Sequence, residues 1–96
     1  MECLQTESRP YEYRFFVRGD VDVAGAAELQ VNLDEAIGTT YDDLVVDCCG
    51  LTSIDSSGLV VLLRTQQTLR ELGRRLRVVN ADDATERLLD VMGLAY

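Results

Sequence analysis

The chain contains no histidine, no lysine and no tryptophan, and only one proline. Without histidine, neither a Ser-His-Asp nor a Cys-His site can be assembled from this chain alone. Without lysine there is no Schiff-base amine and no P-loop lysine. All nine cations are arginines, set against 17 acidic residues for a formal net charge of −8. That balance argues against nucleic acid and anionic membranes as partners, since both require a cationic footprint. No apolar run approaches the roughly 18 residues of a membrane span, and Met1–Pro10 lacks the apolar centre of a signal peptide. The expectation is a cytoplasmic, non-enzymatic protein with no cofactor and no metal. Cys3, Cys48 and Cys49 fit that picture: they lack metal-ligand spacing, and neighbours on a strand point to opposite faces. They are expected to be small buried hydrophobes in a reducing compartment.

The 96 residues, 47% of them apolar, leave room for one small domain with a real core, spanning 1–96. Residues 2–7 form at most a weak strand, and Ser8-Arg9-Pro10 reads as a turn. In Tyr11–Arg18 the apolar Tyr11, Tyr13, Phe15 and Val17 alternate with Glu12, Arg14, Phe16 and Arg18, as on a strand covered on one side. Asp22 is placed to cap a helix carrying Ala26, Leu29, Leu33, Ala36 and Ile37 on one face, with Gly38 closing it. Leu44–Cys49 has the near-continuous apolar character of a central strand, followed by polar and turn residues. A second helix begins near Ser57. It directs Leu59, Leu62, Leu63, Leu69 and Leu72 to the core, with Gln66 at the margin and Arg64 and Gln67 outside. Gly73 ends it, and Arg70, Arg74 and Arg75 gather where the helix dipole favours cations. Leu76–Val79 is a further strand, parallel to the preceding one. Asp82 caps a last helix with Ala84, Leu88, Leu89 and Met92 on its apolar face, stopped by Gly93.

The chemistry is concentrated at Ile54-Asp55-Ser56-Ser57-Gly58, where strand gives way to helix. A helix amino terminus carries unsatisfied N–H groups and partial positive charge, so a phosphate on Ser56 would be partly neutralised in place. Such a group adds about −1.5 to −2 charges at neutral pH, enough to repel a partner suited to a hydroxyl. Asp55, Ser56 and Ser57 are equally the residue types that cap helices, and Gly58 the type that permits close packing. A catalytic serine has no base to activate it, and a phospho-accepting Asp55 lacks the lysine that receiver chemistry uses.

Ile54-Asp55-Ser56-Ser57-Gly58-Leu59, preceded by the apolar strand Leu44–Leu51, resembles the signature of STAS domains, named for sulfate transporters and anti-sigma factor antagonists. Gly19-Asp20-Val21-Asp22 is similar to that family's Gly-Glu-Leu-Asp, and Met92-Gly93-Leu94 to its closing Gly-Leu. Val60 stands where a second glycine is common. The resemblance implies an α/β fold, a mixed sheet with helices mainly on one face. It also implies an anti-sigma factor antagonist with Ser56 as phosphoacceptor and Asp22, Asp55, Ser57 and Gly58 in the partner-binding surface. The implied partners are an anti-sigma factor serine kinase, which binds the unphosphorylated form and frees the sigma factor, and a phosphatase that resets Ser56. Family members continue past the Gly-Leu into a short strand and a helix, for which only Ala95-Tyr96 remain; a partner or a second copy, as in a homodimer, would then cover the edge. Two alternatives belong to other classes. One is an accessory subunit docking on the ATPase of a lipid-transport ABC system without a phosphorylation cycle. The other is a small nucleotide-binding module, disfavoured because it lacks a glycine-rich loop.

Overall fold

The computed structural model describes residues 2–9, 12–39 and 43–91. Along the chain the elements are β1 (Glu2–Arg9), β2 (Glu12–Val21), α1 (Val23–Thr39), β3 (Asp43–Ile54), α2 (Ser56–Glu71), β4 (Leu76–Val79) and α3 (Asp83–Val91). The strands form one sheet in the order β1-β2-β3-β4. β1 is antiparallel to β2, whereas β2, β3 and β4 run parallel. The Pro10 turn, Tyr11, Thr40–Asp42, the side chain of Cys3 and the Met92-Gly93-Leu94 segment lie outside the described residues.

Register explains the core. Tyr13 pairs with Leu44 and Leu44 with Leu76; Phe15 pairs with Val46 and Val46 with Val78. Each row continues across the three parallel strands, and alternate residues of every strand reach the same side. Phe15, Val17, Leu44, Val46, Cys48, Leu76 and Val78 form a single buried cluster on that side. Leu29 and Leu33 of α1, Leu62 and Leu69 of α2, and Leu89 of α3 join it, so all three helices pack on one face of the mixed sheet. Each fully buried side chain of this kind contributes about 1.5–3 kcal/mol.

Several local expectations are corrected. β1 is a full strand running through Ser8 and Arg9, with its pairing irregularity between Glu7 and Arg9, because β2 supplies a partner that local alternation does not reveal. β3 runs past Cys49 to Ile54, since Gly50–Ile54 pair with the end of β2. Gly38 lies inside α1, which ends at Thr39 with the Thr39 hydroxyl donating to the Glu35 carbonyl. Gln66 is buried rather than marginal, while Leu72 is 56% exposed, beyond the last turn of α2. Gly73, at φ 71°, does close that helix. On α3 the inward positions are Thr85 and Leu89; Ala84 and Leu88 face solvent. Cys48 is buried, as expected, but Cys49 is exposed. Burial, with Asp47 and Asp82 nearby, pushes the Cys48 thiol up to about 12, so it packs as an inert apolar group.

Among the described residues, Asp47 is the one buried acidic residue. Its carboxylate accepts from the Cys49 N–H at 2.9 Å, from the Asn80 amide at 3.1 Å, and from the Arg14 guanidinium, which also lies over the Phe16 ring. Asn80 turns the chain out of β4 at φ 58°, which aligns its amide with this network. Burial alone would raise the Asp47 carboxyl. The Cys49, Asn80 and Arg14 donors outweigh it and hold the carboxyl below its ordinary range. Because the folded value is depressed, the stabilisation is full above the ordinary carboxylate value near pH 4 and is lost as pH falls through the lower, folded value. Asp47→Asn should therefore cost about 1–3 kcal/mol at neutral pH. Urea denaturation at a series of pH values should show the gap between variant and wild type narrowing below about pH 4. A gap independent of pH would contradict the charge-based account.

Candidate functional site

β2 and β3 end side by side. Gly19 pairs with Leu51, Asp20 with Ser53 and Val21 with Ile54, with a register shift between Gly19 and Asp20. Gly19 sits at φ 83°, a conformation costly for any residue with a Cβ, which lets β2 bend there and stay paired. Thr52 is the extra residue opposite the shift, and the Ser53 hydroxyl donates to the Asp20 carboxylate at 2.8 Å. Each strand then gives way through one aspartate to a helix, β2 through Asp22 to α1 and β3 through Asp55 to α2. The two exits are tied together: the Asp55 N–H donates to the Val21 carbonyl at 3.1 Å.

Both aspartates cap. Asp22 accepts from the Gly25 N–H at 2.8 Å through its carboxylate and from the Ala26 N–H at 2.7 Å through its carbonyl. The Asp55 carboxylate accepts from the Ser57 N–H at 2.9 Å and the Gly58 N–H at 3.3 Å, and its carbonyl from Leu59. Two capped helix amino termini thus open together beyond the carboxyl ends of parallel strands, the location where open α/β sheets carry their sites. The capping roles expected of Asp22 and Asp55 are present in the geometry.

Ser56 is the first residue of α2 and is exposed; Ser57 beside it is half-buried. Gly58 is buried, and a Cβ placed there would lie 2.6 Å from Ile54 Cγ1 and 2.8 Å from Val21 Cγ1. Close approach of α2 to both strand ends, the packing role foreseen for Gly58, explains the residue. From Ser56 a groove of about 570 Å³ runs between the helices, lined by Ala27 and Gln30 of α1 and Ser56, Ser57, Val60 and Arg64 of α2. Val60, which lines this groove with Ser56, is 40% exposed, so the groove offers apolar surface beside the Ser56 hydroxyl.

The groove, the Asp20–Ser53 contact and the Val21–Asp55 link were not legible as site features. The spacing Ser56, Val60, Arg64 at i, i+4 and i+8 is a signal that could have revealed one wall, since it sets an apolar residue in an otherwise outward row. The other wall joins a segment 26 or more residues earlier, which only the fold brings near. Among the described residues no cluster of three or more His, Cys, Asp or Glu could hold a metal ion, and no helix is long and apolar enough to cross a membrane.

Comparison with known proteins gives a consistent outline. The family model described as "Mlab, STAS domain" matches residues 5–96. No curated protein sequence matches the chain. Among solved structures, the phosphorylated form of the Bacillus cell fate determinant SpoIIAA is similar at TM-score 0.78 and 16% identity, covering 97% of this chain and 85% of that one. An anti-sigma factor antagonist from Mycobacterium paratuberculosis is similar at TM-score 0.79 and 24% identity, covering 96% and 77%. The murine anion transporter Slc26a9 contains a region similar at TM-score 0.74 and 14% identity, covering 88% of this chain and 14% of the transporter. At these identities the likeness to solved structures is one of fold.

The packing at the corner makes two stability changes predictable by urea denaturation. Gly58→Ala forces α2 off Val21 and Ile54 and should cost about 1–3 kcal/mol. Asp55→Ala, which removes only the cap, should cost about 1 kcal/mol. A neutral Gly58→Ala would show that the approach at Gly58 relaxes freely.

Proposed function

The chain belongs to the STAS domain family, and we propose that it is an anti-sigma factor antagonist, a non-enzymatic switch whose binding surface is set by the state of Ser56. The observation that carries the proposal is the exposed Ser56 hydroxyl on the first turn of α2, at the mouth of the α1–α2 groove. In the unphosphorylated state the partner, an anti-sigma factor kinase, meets a neutral hydroxyl with the exposed Val60 in the same groove. Asp22, Asp55, Ser57 and Gly58 shape that surface. The first two hold the helix starts, and Gly58 lets them stand close.

The kinase transfers the γ-phosphoryl group of ATP to Ser56 Oγ. An O–P bond to serine forms, the bond to the β-phosphate breaks, ADP leaves, and the serine proton passes to a base of the kinase, since this chain has no histidine or lysine to take it. The phosphate lies at a helix amino terminus, which stabilises it, but beside carboxylates already committed to capping. The fold is thereby retained while the surface gains like charge against the partner. A phosphatase restores the hydroxyl.

A second reading shares the family model, whose description is "Mlab, STAS domain": an accessory subunit docking the same corner on the ATPase of a lipid-transport ABC system, with no phosphorylation cycle. The two readings separate in one experiment. Candidate kinases from the same cell are incubated with the protein and ATP, phosphate is located by mass spectrometry, and binding of wild type, Ser56→Ala and Ser56→Asp is compared. Phosphate on Ser56, with Ser56→Asp weakened on the order of tenfold or more, is the expected result. Co-purification with a transporter ATPase, with Ser56 unmodified, would replace the first reading by the second.

A further inference from the structure

The α1–α2 groove carries one charge. Among the described residues that line it, Arg64 alone is ionisable, two turns along α2 from Ser56. Residue spacing explains why that charge is unanswered. At i±3 and i±4 the neighbours of Arg64 are Val60, Val61, Gln67 and Thr68, so α2 offers its guanidinium no carboxylate. On α1, the Asp34 carboxylate accepts from the Gln30 amide at 3.0 Å and lies outside the groove lining. The Arg64 guanidinium accordingly has no ion pair or hydrogen bond among the described residues. Arg87 on α3, by contrast, has Asp83 and Asp90 at i−4 and i+3. An exposed arginine is ordinary in itself. This one is the single charge of a hollow that also presents apolar surface at Val60, on a chain of net charge −8.

We propose that the groove receives an amphipathic helix of the partner, held in register by Arg64: an apolar side chain packs on Val60 and Ala27, and an acidic side chain one turn away pairs with Arg64. The inference rests on the reading of this corner as the partner-binding surface and adds the chemistry of what binds there. Both walls are helices, whose backbone groups are bonded within each helix, so the groove has no sheet edge to pair an extended peptide. A docking helix brings its own backbone bonds and needs only side-chain contacts. Val60 and Arg64 are four residues apart, about 6 Å along α2, which matches the spacing of i and i+4 side chains on such a helix. A carboxylate is selected because the planar guanidinium fork takes both its oxygens, whereas a neutral or basic residue would leave the cation unpaired as water is expelled. The rest of this acidic molecule repels an acidic partner, so Arg64 fixes where the partner docks. A phosphate on Ser56, about 12 Å away along the axis, lies beyond a Debye length at physiological salt, so the two charges are read separately.

The test is selection from a phage-displayed library of helical peptides, randomised on one face, against the intact protein, Arg64→Glu and the charge-matched control Arg87→Glu. Wild type should enrich Asp or Glu one turn from an apolar residue. Arg64→Glu should enrich Lys or Arg at that place, and Arg87→Glu should reproduce the wild-type preference. If Arg64→Glu loses its far-ultraviolet dichroism, Arg64→Gln replaces it and should lose the acidic preference. Replacing the acidic residue of a selected peptide by Gln should weaken binding to wild type about tenfold or more and leave binding to Arg64→Gln unchanged. No enrichment, or enrichment indifferent to residue 64, would overturn the inference, as would equal effects of Arg87→Glu. A parallel binding assay with the candidate kinases keeps this inference distinct from the switch at Ser56. A kinase that binds wild type and Arg64→Glu equally would overturn the role of Arg64 and leave the switch standing. Peptides that follow residue 64, with no kinase acting on Ser56, would uphold the groove and remove the switch.

Discussion

The hydrogen bond from the Asp55 N–H to the Val21 carbonyl holds the ends of two parallel strands at one level, and the site depends on it. Because β2 and β3 finish together, Asp22 and Asp55 begin their helices as neighbours, and α1 and α2 leave the sheet along a shared groove. Gly58 sets how near α2 stands to that junction. Its lack of a side chain is what allows Val21 and Ile54 to lie against the first turn. A hydroxyl on that turn is exposed on a rigid base. This is the physical condition for a group that changes charge without changing fold.

The buried Asp47 network ties the sheet together from within. A carboxylate inside a core is costly unless its lone pairs are engaged. Here Cys49, Asn80 and Arg14 engage them, drawing together β2, β3 and the turn after β4. β3 therefore combines an apolar half, whose residues fill the core, with a polar half that runs on beside β2 toward the functional corner.

Much of this was legible in the sequence, for reasons that are local. The caps at Asp22, Asp55 and Asp82, the β4 strand at Leu76–Val79 and the inward rows of α1 follow from residue type and spacing, and each is present. What escaped is non-local. Gly50–Ser53 reads as a turn because nothing within it supplies strand character, yet β2 pairs with it. Gln66 reads as marginal by polarity but is buried by the elements around α2, and Leu72 reads as core by hydrophobicity but falls after the helix has ended. Arg14 and Asp47, 33 residues apart, reveal their pairing only when adjacent strands align Arg14 with Val45 and Phe16 with Asp47. For the candidate site, the α2 wall was readable in Ser56 and Ser57, whereas the α1 wall required the fold.

The two ends of α2 are therefore electrically opposite: capped carboxylates and a neutral hydroxyl at the start, arginines at the finish. The central claim is that phosphate on Ser56 alters the surface and leaves the structure in place. Amide chemical shifts and hydrogen exchange of the Ser56-phosphorylated and unmodified protein, compared residue by residue, test it most directly. The account predicts changes confined to residues 20–27 and 53–61, with exchange protection along Phe15, Val46 and Val78 unaltered. Perturbation spreading through that core row, or loss of its protection, would show that phosphorylation acts by reshaping the fold and would contradict the account.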